Sequence, residues 1–137
     1  ITPNEREARF ALGDQDSVIR PLATNLYKIT ACETMILKLG ARGILTHRSR
    51  NKDDPRTHYS IDSFAEKIVD AVGAGDALLA YASLVLVSTK NDVIASIIGN
   101  IAAGLECEKN GNVPIKIDVI KERILKIKHS SEFTTVK

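Results

Sequence analysis

A short run of small residues that ends in an aspartate lies near the middle of the chain. The run is Gly73-Ala74-Gly75-Asp76, and a long stretch with helical character follows it. Glycines at such a turn let backbone N–H groups converge, and the positive end of the helix dipole adds to their field. The sequence therefore predicts an anion site in which these amides hold negative charge that develops on a phosphate group.

The carboxylate that closes this run favours phosphoryl transfer over simple phosphate binding. Asp76 would repel a resting pyrophosphate, but it suits a group that takes a proton from a hydroxyl attacking a phosphate. A dinucleotide-binding G-x-G-x-x-G turn would need a small residue where Leu78 stands, and no G-x-x-x-x-G-K-[ST] motif occurs. A plain glycine turn with Asp76 at a helix start is the alternative.

Composition and charge exclude several classes of partner. The 19 basic and 17 acidic side chains leave a formal charge of +2, so no strong field for nucleic acid is expected. The longest apolar run, residues 77–87, is shorter than the roughly 18 residues of a membrane span, and no secretion signal is found. These features predict a soluble, cytoplasmic protein of small-molecule chemistry, in which Cys32 and Cys107 have packing roles.

Apolar periodicity and the positions of glycine and proline indicate an α/β fold around the glycine turn. The stretch from residue 76 is apolar nearly all round, which predicts a buried helix. We expect one domain over residues 1–129, with a sheet that is at least partly parallel, and a flexible tail over 130–137. Helices are predicted over residues 4–12, 16–32, 76–88, 91–108 and 118–129, strands over 34–39, 44–47, 58–61 and 67–69, and an exposed loop over 48–56. Asp16 or Ser17 would cap the second helix, and Asn91 or Asp92 would cap the fourth.

Three segments in order along the chain resemble the ribokinase-like carbohydrate kinases. Asp70–Ala77 resembles the C-terminal signature of that family, Thr2–Ala8 its Asn-x-x-Glu region, and Lys38–Gly43 its nucleotide-contacting strand turn. The resemblance implies a ribokinase-like, three-layer α/β fold with a largely parallel sheet, of which this chain is the C-terminal portion. It also implies an ATP-dependent kinase that uses Mg²⁺ and acts on a sugar or sugar phosphate.

The resemblance assigns roles residue by residue. Asp76 would be the catalytic base, and the backbone of Gly73, Ala74 and Gly75 would form the anion hole. Asn4 and Glu7 would organise magnesium and phosphate through water, and their spacing places both on one helix face. The nucleotide-binding positions would be Lys38, Gly40, Gly43, Asn100 and Gly104.

Two finer expectations rest on the same resemblance. Asp70 resembles a residue near the family's monovalent-cation site, which suggests K⁺, although Ala71 stands where Thr or Ser is usual. The segments Asn100–Gly104 and Lys109–Val113 are somewhat similar to the heptose-phosphate kinase domain of ADP-heptose synthases, but the usual Gly-Thr of that subgroup is absent.

Structural roles are open at several of these positions. Glu7 also suits a helix N-terminus, Gly40 and Gly43 also suit a tight hairpin turn, and Asn100 also suits a hydrogen-bonded core amide. Asp70 also suits a plain strand end. No function is assigned to His47, His58 and His129.

Two observations suggest that the chain is a fragment. It begins without Met, and the resemblance covers only the C-terminal half or so of a family member. The sugar-contacting residues and the lid would then lie elsewhere. We therefore expect no sugar phosphorylation by this chain alone, and self-association through an open sheet edge or apolar face. A non-catalytic nucleotide-binding module and a structural assembly module are the alternatives.

Overall fold

A computed structural model describes residues 1–48 and 57–134, and its elements follow the predicted order. Most of the loop predicted over residues 48–56 lies outside the described residues. The elements are α1 (Glu5–Leu12), α2 (Ile19–Thr30), β1 (Met35–Lys38), a 3₁₀ turn (Gly40–Arg42), β2 (Ile44–His47), β3 (His58–Ile61), α3 (Ala74–Thr89), α4 (Asp92–Cys107) and α5 (Ile117–Thr134).

The described strands form an antiparallel sheet in the order β1-β2-β3, so the prediction of a largely parallel sheet is wrong for this part of the chain. A short glycine turn joins β1 to β2, and strands connected this closely pair antiparallel. Within the described residues, parallel pairing is limited to residues 1–4, which run beside β1. The N–H groups of Ile36 and Lys38 donate to the carbonyls of Ile1 and Pro3 over 2.9 and 2.8 Å, and Asn4 forms an isolated parallel bridge with Lys38.

A strand predicted over residues 67–69 is not present. The N–H groups of Val69 and Asp70 instead donate to the carbonyl of Cys107, over 2.7 and 3.1 Å. The segment that leads into the glycine turn is therefore hydrogen-bonded to the end of α4. The sequence had predicted this segment to be a strand.

Local signals placed some helix ends correctly and others not. Asn91 caps α4 as predicted, because its side chain accepts from the N–H groups of Val93 and Ile94. The cap predicted for α2 at Asp16 or Ser17 is absent, and Val18 takes the capping position without a side-chain hydrogen bond.

The helix α3 is only partly covered, although its all-round apolar sequence predicted burial. Leu78 and Ala82 are buried, whereas Leu84 and Val87 are 58% and 68% exposed. The helix α4 covers one side closely, since a Cβ on Gly99 would lie 2.9 Å from that of Ala82. The other side has no covering element in the described residues. Within those residues no helix is long and apolar enough to cross a membrane.

Candidate active site

The glycine turn folds as the predicted entry to a helix. Gly73 has φ +84° in the left-handed region and precedes α3, whose first hydrogen bond runs from the N–H of Ala77 to the carbonyl of Gly73 over 2.9 Å. The N–H groups of Gly75 and Asp76 lie in the first turn, where no intrahelical acceptor is available. The turn therefore offers donors to an anion.

Two carboxylates and the segment after α4 brace this turn. Asp70 accepts from the N–H groups of Val72 and Gly111, at 3.0 and 3.3 Å. Glu106, only 2% exposed, accepts from the N–H of Val113 over 2.8 Å. The bracing residue Glu106 was missed at the sequence level, because only the tertiary fold brings the end of α4 to the turn.

A side chain at residue 73 would not fit this arrangement. A Cβ on Gly73 would lie 2.7 Å from Oδ1 of Asn112 and 3.0 Å from Oε1 of Glu106. Both contacts are closer than real Cβ atoms tolerate comfortably, and the positive φ adds strain for any other residue. Glycine is therefore required here for conformation and for space.

Asp76, the predicted base, is the third residue of α3 and is exposed to solvent. No ion-pair partner is found for it among the described residues. Its side chain is thus accessible from outside the chain, as a group that receives a proton from a substrate must be.

A pocket of about 330 Å³ opens beside the turn, between β1 and the C-terminal half of α4. Four predicted residues do not line this pocket: Gly73, Asp76, Asp70 and Glu7. The structure brings the other predicted residues together around it: Asn4, Lys38, Gly40, Gly43, Ala74, Gly75, Asn100 and Gly104.

Apolar residues that the sequence reasoning missed complete the pocket wall, among them Ala103 and Cys107. Both share a helix face with Asn100 and Gly104, and that spacing was the available signal. Burial raises the pKa of the Cys107 thiol, and the neighbouring carboxylate of Glu106 raises it further. The thiol of Cys107 is therefore harder to ionise than an exposed cysteine thiol.

The Asn4 and Glu7 pair forms a reciprocal helix cap on α1. Oδ1 of Asn4 accepts from the N–H of Glu7 over 2.8 Å, and Oε2 of Glu7 accepts from the N–H of Asn4 over 2.7 Å. One carboxylate oxygen of Glu7 stays outside the cap. Among residues 1–48 and 57–134, no group of three His, Cys, Asp or Glu could hold a metal by itself. A magnesium ion here would thus depend on water and phosphate for most of its ligands.

Other predicted nucleotide contacts also have structural roles. A Cβ on Gly43 would lie 2.1 Å from the carbonyl oxygen of Ile61, so β3 excludes any larger residue there. The amide of Asn100, 4% exposed, donates to the carbonyl of Asp62 over 2.8 Å. The hairpin and core-amide roles therefore hold at these positions, which also line the pocket.

Lys38 is the basic residue of the pocket. Its Nζ lies 3.0 Å from the position that a Cβ on Gly75 would take, so the ammonium sits against the first turn of α3. The ammonium of Lys38 therefore lies beside the positive end of the α3 dipole.

The family profile for pfkB family carbohydrate kinases matches residues 1–117 of the chain. Solved structures with the same fold include the ribokinase of Thermotoga maritima, at 24% identity and a TM-score of 0.74 over 90% of this chain. Phosphofructokinase-2 of Escherichia coli, in complex with potassium, matches at 18% identity and a TM-score of 0.77 over 93% of this chain.

A fructokinase double mutant of Vibrio cholerae, with fructose, ADP and potassium bound, matches at 21% identity and a TM-score of 0.66 over 81% of this chain. The chain spans only 41%, 40% and 35% of the lengths of these three proteins. A search of curated protein sequences finds no match.

Proposed function

This chain belongs to the pfkB family of carbohydrate kinases, and on that premise we propose that it carries the nucleotide-binding and catalytic part of an ATP-dependent kinase for a sugar or sugar-phosphate hydroxyl. The single observation behind the proposal is the glycine turn that opens α3 beside a pocket lined by Lys38, Gly40 and Gly43. Phosphoryl transfer needs little covalent chemistry from a protein, so donors and charges in fixed positions are the features to expect.

Each group at the turn has a proposed task. Asp76 takes the proton of the acceptor hydroxyl, and the amides of residues 73–75 hold the transferring phosphoryl group. The N–H of Ala74 would exchange its 3.3 Å hydrogen bond to the carbonyl of Ala71 for this contact. Magnesium, when bound, neutralises phosphate charge. The helix cap uses Oδ1 of Asn4 and Oε2 of Glu7. The other carboxylate oxygen of Glu7 and the second lone pair of the Asn4 Oδ1 would accept hydrogen bonds from the waters of the magnesium ion.

The pocket suits the nucleotide rather than the acceptor. Its volume of about 330 Å³ is at the lower end of the range for small-molecule sites, and its walls combine apolar side chains with glycine backbone. Gly40 and Gly43 would admit the nucleotide close to the strand turn, and Asn100 and Gly104 would face the base from α4.

Two finer points concern the cation and the acceptor. We propose a potassium site beside the carboxylate of Asp70. This carboxylate already accepts two backbone N–H groups, and Ala71 adds no hydroxyl as a further ligand. The structures named above are those of a ribokinase, a phosphofructokinase and a fructokinase, which gives no support to heptose phosphate as the acceptor. We propose only a sugar or sugar-phosphate hydroxyl.

A second candidate function is a nucleotide-binding or assembly module without its own turnover. The exposed apolar side of α3, with Leu84 and Val87, favours a partner surface there. Titration of the chain with ATP and Mg²⁺ by calorimetry tests the shared premise. Binding of ATP is the expected result, and absence of binding would reject both nucleotide-based functions and leave the assembly module.

A further inference from the structure

Lys38 ends β1, and its backbone is held on both sides. Its N–H donates to the carbonyl of Pro3 over 2.8 Å, and it pairs across the sheet with Ile44. The start of the side chain is therefore fixed, and the partly buried stem runs to the first turn of α3, where Nζ meets Gly75.

The ammonium of Lys38 has no counter-ion within the described residues, unlike other partly buried basic groups of the chain. Arg123 pairs with Glu108 at 2.6 Å, and Arg9 pairs with Glu5 at 2.8 Å. No carboxylate of the described residues lies within ion-pair distance of Lys38. Asp76, one residue beyond Gly75, does not pair with it either.

This placement is unfavourable unless an anion contacts both the ammonium and the amides of the turn. A cation beside a helix N-terminus meets the positive end of the dipole, and a partly buried charge without a partner loses hydration. An anion held by the amides of the turn would satisfy both the helix end and the ammonium. The molecule thus combines two positive groups, converging on one small volume next to Gly75.

We propose that Lys38 binds the terminal phosphate of ATP and is the fixed cation of phosphoryl transfer in this chain, an inference that rests on the kinase function proposed above. As the acceptor oxygen bonds to the γ-phosphorus, the bond to the β,γ-bridging oxygen breaks, and the acceptor proton passes to Asp76. Lys38 contacts the γ-phosphoryl oxygens, whereas ADP, the product, lacks them. The residue therefore distinguishes ATP from ADP as well as stabilising the transfer.

The test is calorimetric titration of the chain with ATP and with ADP, each with Mg²⁺. The variants are Lys38→Met, which removes the charge, Lys38→Arg, which keeps it, and Lys28→Met, an exposed lysine of α2, as the matched control. One charge-assisted hydrogen bond corresponds to about ten- to hundredfold in affinity. We expect Lys38→Met to weaken ATP binding by about this factor and ADP binding by much less, with Lys38→Arg close to the wild type.

Thermal melting in inorganic phosphate gives a second readout. Without phosphate, Lys38→Met should melt no lower than the wild type, because the unpaired charge is gone. Phosphate should raise the melting temperature of the wild type more than that of Lys38→Met.

Three outcomes are distinguishable. A wild type that binds neither nucleotide rejects the kinase function itself. A wild type that binds ATP, with Lys38→Met binding ATP equally well, overturns the role of Lys38 alone. Equal losses for ATP and ADP in a folded Lys38→Met also overturn it, because the contact would then not be to the terminal phosphate.

Discussion

The polar side chains at the two ends of the three-stranded sheet differ in their exposure to solvent. At one end Lys38 lies beside Ile44, next to the glycine turn, and its ammonium reaches an open pocket. At the other end Met35, His47 and His58 lie side by side across the strands, and Tyr27 stacks on His47 with ring centroids 4.0 Å apart.

The end with Met35, His47 and His58 is called the sealed end below, and the end with Lys38 the open end. At the sealed end the imidazole of His47 is buried without a hydrogen-bond partner in the part of the chain that the structure describes. His47 is 2% exposed, and neither ring nitrogen has a hydrogen-bond partner within the described residues. At the open end the unpartnered group is a charge within reach of ligands. An unpaired polar group at the open end can thus be satisfied by binding, whereas at the sealed end it resists protonation.

The largest effect is expected at the exposed carboxylate of the open end. Asp76→Asn, in a longer kinase chain that contains this segment, should lower turnover by about 10²–10⁴-fold, because the variant cannot accept the acceptor proton. Steady-state ADP release that requires the sugar measures it. Asp118→Asn, an exposed acid in the first turn of α5, is the control and should leave turnover unchanged. A loss of less than about tenfold in Asp76→Asn would rule out the general base.

The next effect concerns the space behind the glycine turn. Gly73→Ala should lower the free energy of unfolding by about 1–3 kcal/mol, because strain at positive φ combines with the contact to Asn112. Gly13→Ala is a matched control, since Gly13 also has positive φ but has nothing within 4 Å of a Cβ. Urea unfolding should show the larger loss at Gly73. Equal losses would mean that the contact contributes nothing.

A pH dependence is expected from the sealed end. Burial lowers the pKa of His47, and the nearby His58 and Lys28 lower it further. The unfolded chain then binds protons first, so stability is complete above about pH 6.5 and falls as the pH drops below it, by up to about 1.4 kcal/mol per pH unit for one proton.

His47→Phe keeps an aromatic ring on Tyr27 and removes this titration, so its stability should depend less on pH between about 6.5 and 5. Urea unfolding at several pH values measures the slope. An unchanged slope in His47→Phe would show that the sealed end does not resist protonation.

The smallest effect on stability is expected on the uncovered side of α3. Val87→Lys should change the free energy of unfolding by less than about 0.5 kcal/mol, because Val87 is 68% exposed. It should nevertheless reduce self-association, which light scattering detects. Ile29→Lys on α2, where Ile29 is 64% exposed, is the control. Similar scattering from both variants would place the association surface away from α3.

Local sequence signals predicted the parts of the fold that neighbouring residues specify. Asn91 caps α4 because its side chain reaches N–H groups two and three residues ahead. The turn of Gly40 and Gly43 separates two short strands as predicted, because both glycines have positive φ. Cys32 was predicted inside a helix but lies after the end of α2. The helix ends because Ala31 takes a left-handed conformation, which an alanine does not predict.

The candidate site could be predicted only in part, for the same reason. Small residues and an acid at a helix start can be recognised from the sequence, so Gly73, Gly75 and Asp76 were identified. Glu106 was not, because its contact with Gly73 joins residues more than 30 positions apart in the chain. Cys107 was missed although it shares a helix face with Asn100 and Gly104. The direction of strand pairing was wrong because apolar alternation is the same in parallel and antiparallel strands.

The sequence by itself determined the helix starts at Asn4 and Asn91, the glycine turn and the membership of a kinase family, because each depends on residues close together in the chain or on ordered motifs. Only the tertiary structure decided that Lys38 meets Gly75, that Glu106 braces the turn and that one side of α3 is uncovered. Burial and charge pairing depend on which distant segments pack together, and the apolar pattern of a helix does not specify its neighbours.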